Sequence, residues 1–229
     1  MLGIITALFL VTLFIIITLV IWIFTSKKKT QTKTKRKNFL KTPLKKKWYQ
    51  LHSSKNFHYL DGGLFKYADN NYFELDGILI SNKAVYIIEA KRYIGHLHGG
   101  FFDDYLLLKD DKKEIRVKNP FNQNYRHIRH FINMCKVNVP IFSLIIFPDS
   151  ASLDIDKQEP STIIASKSNV DLLLDEVETY MVDEPDLEVS KINLVIDAIN
   201  ENRAQSTSNN IKFNQIISQN NENQYFNRT

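Results

Sequence analysis

The sequence predicts an α/β fold, a mixed central β-sheet flanked by helices and preceded by one N-terminal membrane-spanning helix. Three patterns lead there. Strand-like segments crowd into residues 64–117, helical periodicity then alternates with apolar runs of strand length, and residues 2–24 form an apolar stretch long enough to cross a bilayer.

Residues 1–26 carry no charged side chain, and from Leu2 to Phe24 only Gly3, Thr6, Thr12 and Thr18 interrupt the apolar run. A cleaved signal peptide fits less well, because no basic residue precedes the run, the run is long for such a leader, and no small-x-small cleavage site follows it. The reading is a retained transmembrane helix over 2–24. Residues 27–47 then hold eleven Lys/Arg and no acid. Under the positive-inside rule this basic juxtamembrane linker, 25–47, stays in the cytoplasm and meets anionic lipid. The expectation is a single-pass cell membrane protein with its N-terminus out and its C-terminal domain cytoplasmic. A lone cysteine, Cys135, suits that compartment.

The linker also explains the charge. Of 30 Lys/Arg, eleven lie in it, leaving 19 against all 25 Asp/Glu in residues 48–229. Beyond the linker the chain is acidic by six, so the sequence pI near 9.1 does not mark a basic nucleic-acid-binding domain.

Thr42-Pro43 stops any helix continuing from the membrane, and Trp48 to Tyr59 reads as a short helix entering a domain over 48–202. Asp61-Gly62-Gly63 reads as a turn, Leu64 to Ala68 as a strand, and Asp69-Asn70-Asn71 as a second turn. Next come Phe73 to Ser81 and Ala84 to Lys91, two alternating segments around Asn82-Lys83. With a two-residue turn there, facing residues sum to 165, which sets Ile80 against Val85, Asp76 against Glu89 and Glu74 against Lys91. Glu74, Asp76, Ile78 and Ile80 then share a face with Val85, Ile87, Glu89 and Lys91.

Two carboxylates opposed at roughly 5 Å repel by roughly 3 kcal/mol at an effective dielectric of about 20. Two readings of that hairpin end follow. In one it is a solvated edge where Glu74 and Glu89 pair with Lys91. In the other it is a metal-dependent phosphodiesterase site, where Asp76 and Glu89 hold Mg²⁺ or Mn²⁺ and Lys91 orients or deprotonates water or stabilises charge at phosphorus.

Gly95 to Phe101 reads as extended, with His96 and His98 on one face, and Tyr105–Lys109 and Lys113–Val117 as strands joined at Asp110-Asp111-Lys112. Asn119-Pro120 starts a helix that runs to about Lys136. Phe121, Tyr125, Ile128, Ile132 and Cys135 make its expected apolar stripe, and Gln123, Arg126, His127 and His130 its polar one. Val139 to Pro148 reads as a strand buried on both faces, and Ser161 to Ser166 as another. Helices follow over about Asn169–Met181 and Leu187–Arg203. Twelve of the 28 residues from Asn202 to Thr229 are Asn or Gln, so 203–229 reads as a disordered tail.

Other constellations are weaker. His96 and His98 lack a third ligand at metal spacing, Asp103-Asp104 reads as a turn, and Ser143 lacks the Gly-x-Ser-x-Gly elbow of serine hydrolases.

The series Glu74-Leu75-Asp76-Gly77, Ile87-Ile88-Glu89-Ala90-Lys91, Gly95, Gly99 and Asn119-Pro120-x-x-Gln123-x-x-x-His127 resembles the nuclease-related domain, NERD. That family belongs to the PD-(D/E)XK, restriction-endonuclease-like superfamily, and the likeness covers about Phe57 to Met134. The resemblance implies a restriction-endonuclease-like sheet with flanking helices. It implies Asp76 and Glu89 as Mg²⁺ (or Mn²⁺) ligands, with the Ala90 backbone carbonyl near the metal and Lys91 as the catalytic lysine. Gln123 would be the helix-borne glutamine beside the site, supported by His127. Such domains commonly carry a glutamate on a helix before the hairpin; residues 27–60 contain no acid, and Glu74 or Asp61 would have to stand in.

The expected function is therefore that of a membrane-anchored cytoplasmic nuclease-related protein hydrolysing phosphodiester bonds of DNA or RNA with a divalent metal. The alternative is a non-catalytic module that binds nucleic acid or protein at the inner membrane face. A third reading is a scaffold whose Asn/Gln-rich tail recruits partners.

Overall fold

The computed structural model describes Ile16, Thr18, Leu19 and residues 57–68, 71–110, 113–156 and 159–204. One unit of the chain runs from Leu44 to Thr229 and carries nine strands and three helices among the described residues. These are β1 (His58–Tyr67), β2 (Asn71–Ile80), β3 (Val85–Ala90), β4 (Gly95–Gly100), β5 (Tyr105–Lys109) and β6 (Glu114–Lys118), then α1 (Pro120–Cys135), β7 (Ile141–Phe147), β8 (Ala151–Asp156), β9 (Thr162–Ser166), α2 (Val170–Tyr180) and α3 (Val189–Asn202).

The class is mixed α/β, but the strands form two mixed sheets instead of one. The larger has the order β1-β2-β3-β7-β9 and the smaller β6-β5-β4-β8. In the larger, β1, β2 and β3 are antiparallel neighbours while β3, β7 and β9 run parallel. In the smaller, β8 lies parallel to β4, and β5 and β6 follow antiparallel. Gly95 marks the passage from β3 into the second sheet. Its φ is 117°, and a Cβ there would lie 2.4 Å from the Lys109 carbonyl oxygen, so only glycine lets β4 start against β5.

Two apolar clusters hold these layers. Phe65, Phe73, Leu75, Ile78, Ile80, Val85 and Ile87 cover one face of the larger sheet and meet Phe131 and Met134 of α1 and Val195 and Ile199 of α3. Each such side chain taken from water contributes about 1.5–3 kcal/mol. Leu97, Phe101, Leu106, Leu108, Phe121, Ile145 and Phe147 form the second cluster, which joins the smaller sheet to β7 and α1. On the other side of β3, Tyr86 donates its hydroxyl to Glu178 of α2 at 2.5 Å, so helices flank both faces. Burial on both faces makes β3 and β7 the continuous apolar runs that they are.

Several elements differ from expectation. Phe57 is not helical and His58 and Tyr59 belong to β1; residues 48–56 of the expected helix lie outside the described residues. Asp61-Gly62-Gly63 is no turn but the middle of β1, where a Cβ on Gly62 would lie 2.3 Å from the Leu75 carbonyl oxygen. Arg203 holds this stretch from outside, donating to the carbonyls of Gly62 at 2.8 Å and Asp61 at 2.6 Å. Ala204 N–H donates to the Leu64 carbonyl beside it. β8 has no counterpart in the sequence reading.

α1 starts where Asn119-Pro120 places it, with the Asn119 side chain accepting from the Phe121 N–H. Its buried face is Pro120, Phe121, Asn124, Phe131 and Met134, while Tyr125 and Ile132 are 46% and 45% exposed. The expected apolar stripe is thus rotated, and Tyr125 is not core. The helix turns polar side chains inward because a carboxylate waits there.

The expected membrane helix over 2–24 lies outside the described residues except for Ile16, Thr18 and Leu19, of which all three are helical. Among the described residues no helix is long and apolar enough to cross a membrane. The basic linker and the tail beyond Ala204 also lie outside them.

Candidate active site

Three elements converge at the end of β3: β2 brings Asp76, β3 brings Glu89 and Ala90 with Lys91 just beyond, and α1 brings Gln123 and His127. The register of β2 on β3 is the one that the two-residue turn dictates. Ile80 pairs with Val85, Leu79 with Tyr86, Ile78 with Ile87 and Gly77 with Ile88, each summing to 165, and Ser81 N–H donates to the Ala84 carbonyl at 2.9 Å.

The ladder stops one step short of Asp76 and Glu89, so they are not the paired residues expected. Asp76 instead accepts the Ala90 backbone N–H on Oδ2 at 3.0 Å. Phe73 and Leu75 lie in the same cluster as Ile78 and Ile80, so strand alternation slips phase across Asp76-Gly77. Glu74, which pairs with Leu64, therefore falls on the face away from Ile78, and the expected placement of Glu74 opposite Lys91 does not occur. The slip coincides with the close approach of Gly62 to the Asp76 backbone. Asp61 stands in β1 opposite Gly77.

Glu89 is 3% exposed, and a carboxylate that deep costs several kcal/mol unless it is paired and hydrogen-bonded. It is both. Lys91 Nζ lies 2.6 Å from Oε1, and the Gln123 amide nitrogen donates to Oε1 and Oε2, each at 3.2 Å. Gln123 Oε1 in turn accepts from Lys91 Nζ at 2.9 Å, which closes a ring of three side chains. His127 Nδ1 stands 3.5 Å from Glu89 Oε2 without hydrogen-bond geometry, and that buried nitrogen has no other partner among the described residues.

Burial pulls the Lys91 ammonium toward its neutral form, but the Glu89 carboxylate, and behind it Tyr93 and Asp76, outweigh that and hold it above the ordinary lysine value. Lys91 is a fixed positive charge in this arrangement, suited to electrostatic stabilisation more than to proton abstraction.

Two further residues belong to the site. Tyr93 senses both Lys91 and Glu89; burial raises its phenol above the usual value, and its hydroxyl donates to the Lys118 carbonyl at 3.0 Å. Its spacing of two from Lys91 in an extended segment was the available signal. Asn124, fully buried, donates to the Ile87 carbonyl and to Ser143 Oγ, both at 2.9 Å, and so ties α1 to β3 two residues before Glu89. An asparagine three positions from Phe121, on the helix's inward side, was its signal.

A hard divalent cation suits this donor set, which is oxygen throughout: the Asp76 and Glu89 carboxylates with the backbone carbonyl of Ala90 next in sequence to Glu89. Among the described residues no three His, Cys, Asp or Glu side chains gather as a metal cluster. A cation here would take two carboxylates and fill its shell with water and substrate oxygens, as Mg²⁺ commonly does. His96 and His98 stack at 5.9 Å and engage Ser152 and Glu114.

Comparison with known proteins places this geometry. The chain is 28% identical over 88 residues to an uncharacterized protein of Bacillus anthracis, which covers 38% of this chain and 41% of that one. It thus spans about two fifths of that relative's length. No solved structure matches. A family model for the nuclease-related domain matches residues 28–148, from the basic linker to the end of β7 and so further both ways than the sequence motifs reached. With more than half of its length inside that match, and the Asp76, Glu89, Lys91 and Gln123 motifs within it, this chain belongs to the NERD family, in the general context of the PD-(D/E)XK superfamily.

Proposed function

We propose that this chain is a divalent-metal-dependent nuclease that hydrolyses phosphodiester bonds of DNA or RNA, anchored in the membrane by residues 2–24 with the domain on the cytoplasmic side. The carrying observation is the ring that Lys91 and Gln123 close around the buried Glu89 carboxylate, at the end of β3 beside Asp76.

Asp76, Glu89 and the Ala90 carbonyl would hold Mg²⁺ or Mn²⁺, which when bound draws charge from a phosphate oxygen and acidifies water. Gln123 keeps the Glu89 oxygens oriented, and Asp76 is oriented by the Ala90 N–H. Lys91, protonated, donates to a non-bridging phosphate oxygen and balances the charge that grows there as water oxygen bonds to phosphorus and the ester oxygen leaves with a proton. His127 backs Glu89 from α1.

The full chain in detergent should cleave labelled DNA or RNA with Mg²⁺ or Mn²⁺ and stop with chelator. Full activity in Asp76→Ala or Lys91→Ala would refute the assignment. A second reading, a non-catalytic binding module, is favoured by one observation: Glu89 is already closed by its own neighbours, and no third ligating side chain joins it among the described residues. Nucleic-acid binding without metal and without cleavage, unchanged in Lys91→Ala, would select it.

A further inference from the structure

Charge is unevenly spread in the part of the chain beyond the linker, which is acidic as a whole. Residues 91–136 hold ten Lys/Arg against five Asp/Glu, whereas residues 149–204 hold four against fourteen. The first stretch includes the site lysine and most of the smaller sheet.

That sheet has one apolar face, where Leu97, Leu106 and Leu108 enter the core with Val117, Leu153 and Ile155 packed against them. Alternation sends their neighbours outward, and the register lines them up. Tyr105 pairs with Lys118, Leu107 with Arg116 and His98, and Lys109 with His96. Lys118, Arg116, Lys109 and His96 are exposed, and Arg116 lies over the Tyr105 ring at 4.8 Å. Asp154 and Asp156 on β8 border the strip, and Glu114 engages His98 at 3.7 Å. At its Lys118 end the strip is joined to the candidate site through the backbone: the Lys118 carbonyl accepts from Tyr93, which packs beneath the sheet and feels the charges of Lys91 and Glu89.

We propose that the outward face of the four-stranded sheet, from Lys118 through Arg116 and Tyr105 toward Lys109, His98 and His96, is the track on which a single-stranded nucleic acid lies as it enters the site. This rests on the nuclease reading and deepens it. The cations meet phosphates, and the tyrosine ring with its guanidinium gives bases a stacking surface. Single strand is favoured because stacking needs unpaired bases, which a duplex keeps inside.

The test reads binding of a fluorescein-labelled 20-nucleotide single-stranded DNA to the full chain in detergent micelles with EDTA, so that cleavage plays no part. Arg116→Ala/Lys118→Ala should raise Kd about tenfold or more and lower the salt slope by about 1.4, the loss of two phosphate contacts on a single strand. Tyr105→Ala should weaken binding about tenfold. Lys191→Ala, in the acidic stretch, should change nothing, and all variants should keep the parent circular dichroism because these side chains are at the surface. Unlabelled duplex should compete at least tenfold less well than single strand. Unchanged Kd and salt slope in the double variant would overturn the track even if Lys91-dependent cleavage stands. Equal competition by duplex would overturn the single-strand assignment. Arg116-dependent binding by a chain that cleaves nothing would keep the track and remove hydrolysis.

Discussion

Gln123 donates its amide to both oxygens of Glu89 at 3.2 Å while its own carbonyl oxygen accepts from Lys91, so one neutral side chain on α1 holds an ion pair at the end of β3. A hydrogen bond to a charged group contributes about 1.5–3 kcal/mol. Gln123→Ala should therefore destabilise the fold by about that amount in urea titration. A carboxylate released from its orientation should also cost cleavage about a hundredfold. Wild-type rate in Gln123→Ala would remove Gln123 from the site.

Lys91→Met leaves Glu89 buried with no cation, and breaking a buried pair on one side costs about 3–5 kcal/mol. Adding Glu89→Gln should return most of that stability without restoring cleavage. Thermal melts with and without Mg²⁺ or Mn²⁺ add a second readout. A cation that seats on Asp76 and Glu89 should stabilise Lys91→Met more than Lys91→Met/Glu89→Gln, and equal shifts would count against those ligands.

Asn124→Ala would strip partners from the Ile87 carbonyl and Ser143 Oγ inside the core. Unsatisfied buried groups cost about 1–3 kcal/mol, or several degrees of melting temperature in a domain of this size. Because the bonds tie α1 to β3, cleavage should fall more than stability alone explains, measured well below the melting point.

Burial pushes the Cys135 thiol up to about 12 from an ordinary 9.0. The folded chain thus keeps its proton where the unfolded chain has lost it. Stability from this group is fully present below pH 9 and drains away as pH rises toward 12, by at most about 1.4 kcal/mol per pH unit. At pH 8 a thiol reagent should label native protein slowly and urea-unfolded protein fast; equal rates would contradict the partly buried placement of Cys135 against the core.

The parts of the fold legible in the sequence were those governed by local rules. A two-residue turn fixes register, so Ile80 met Val85 as the arithmetic required; Asn119-Pro120 fixes a helix start; and an unbroken apolar run gave β7. Long-range packing hid the rest. The alternating Ala151–Asp156 strand is half exposed and finds its place only beside β4. The phase slip at Asp76-Gly77 depends on Gly62 in the next strand. Asn124 and the partly buried Gln123 and His127 face inward because Glu89 and the β3 backbone need partners, so of the expected apolar stripe Phe121, Ile128 and Cys135 pack in the core while Tyr125 and Ile132 do not.

Arg203 and Ala204 lie along the open side of β1, taking up the carbonyls of Asp61, Gly62 and Leu64 that a stranger's strand would otherwise seek. Sheet-to-sheet association is thereby discouraged at the border nearest Asp76, and any growth by strand addition is left to β9, β6 or β8.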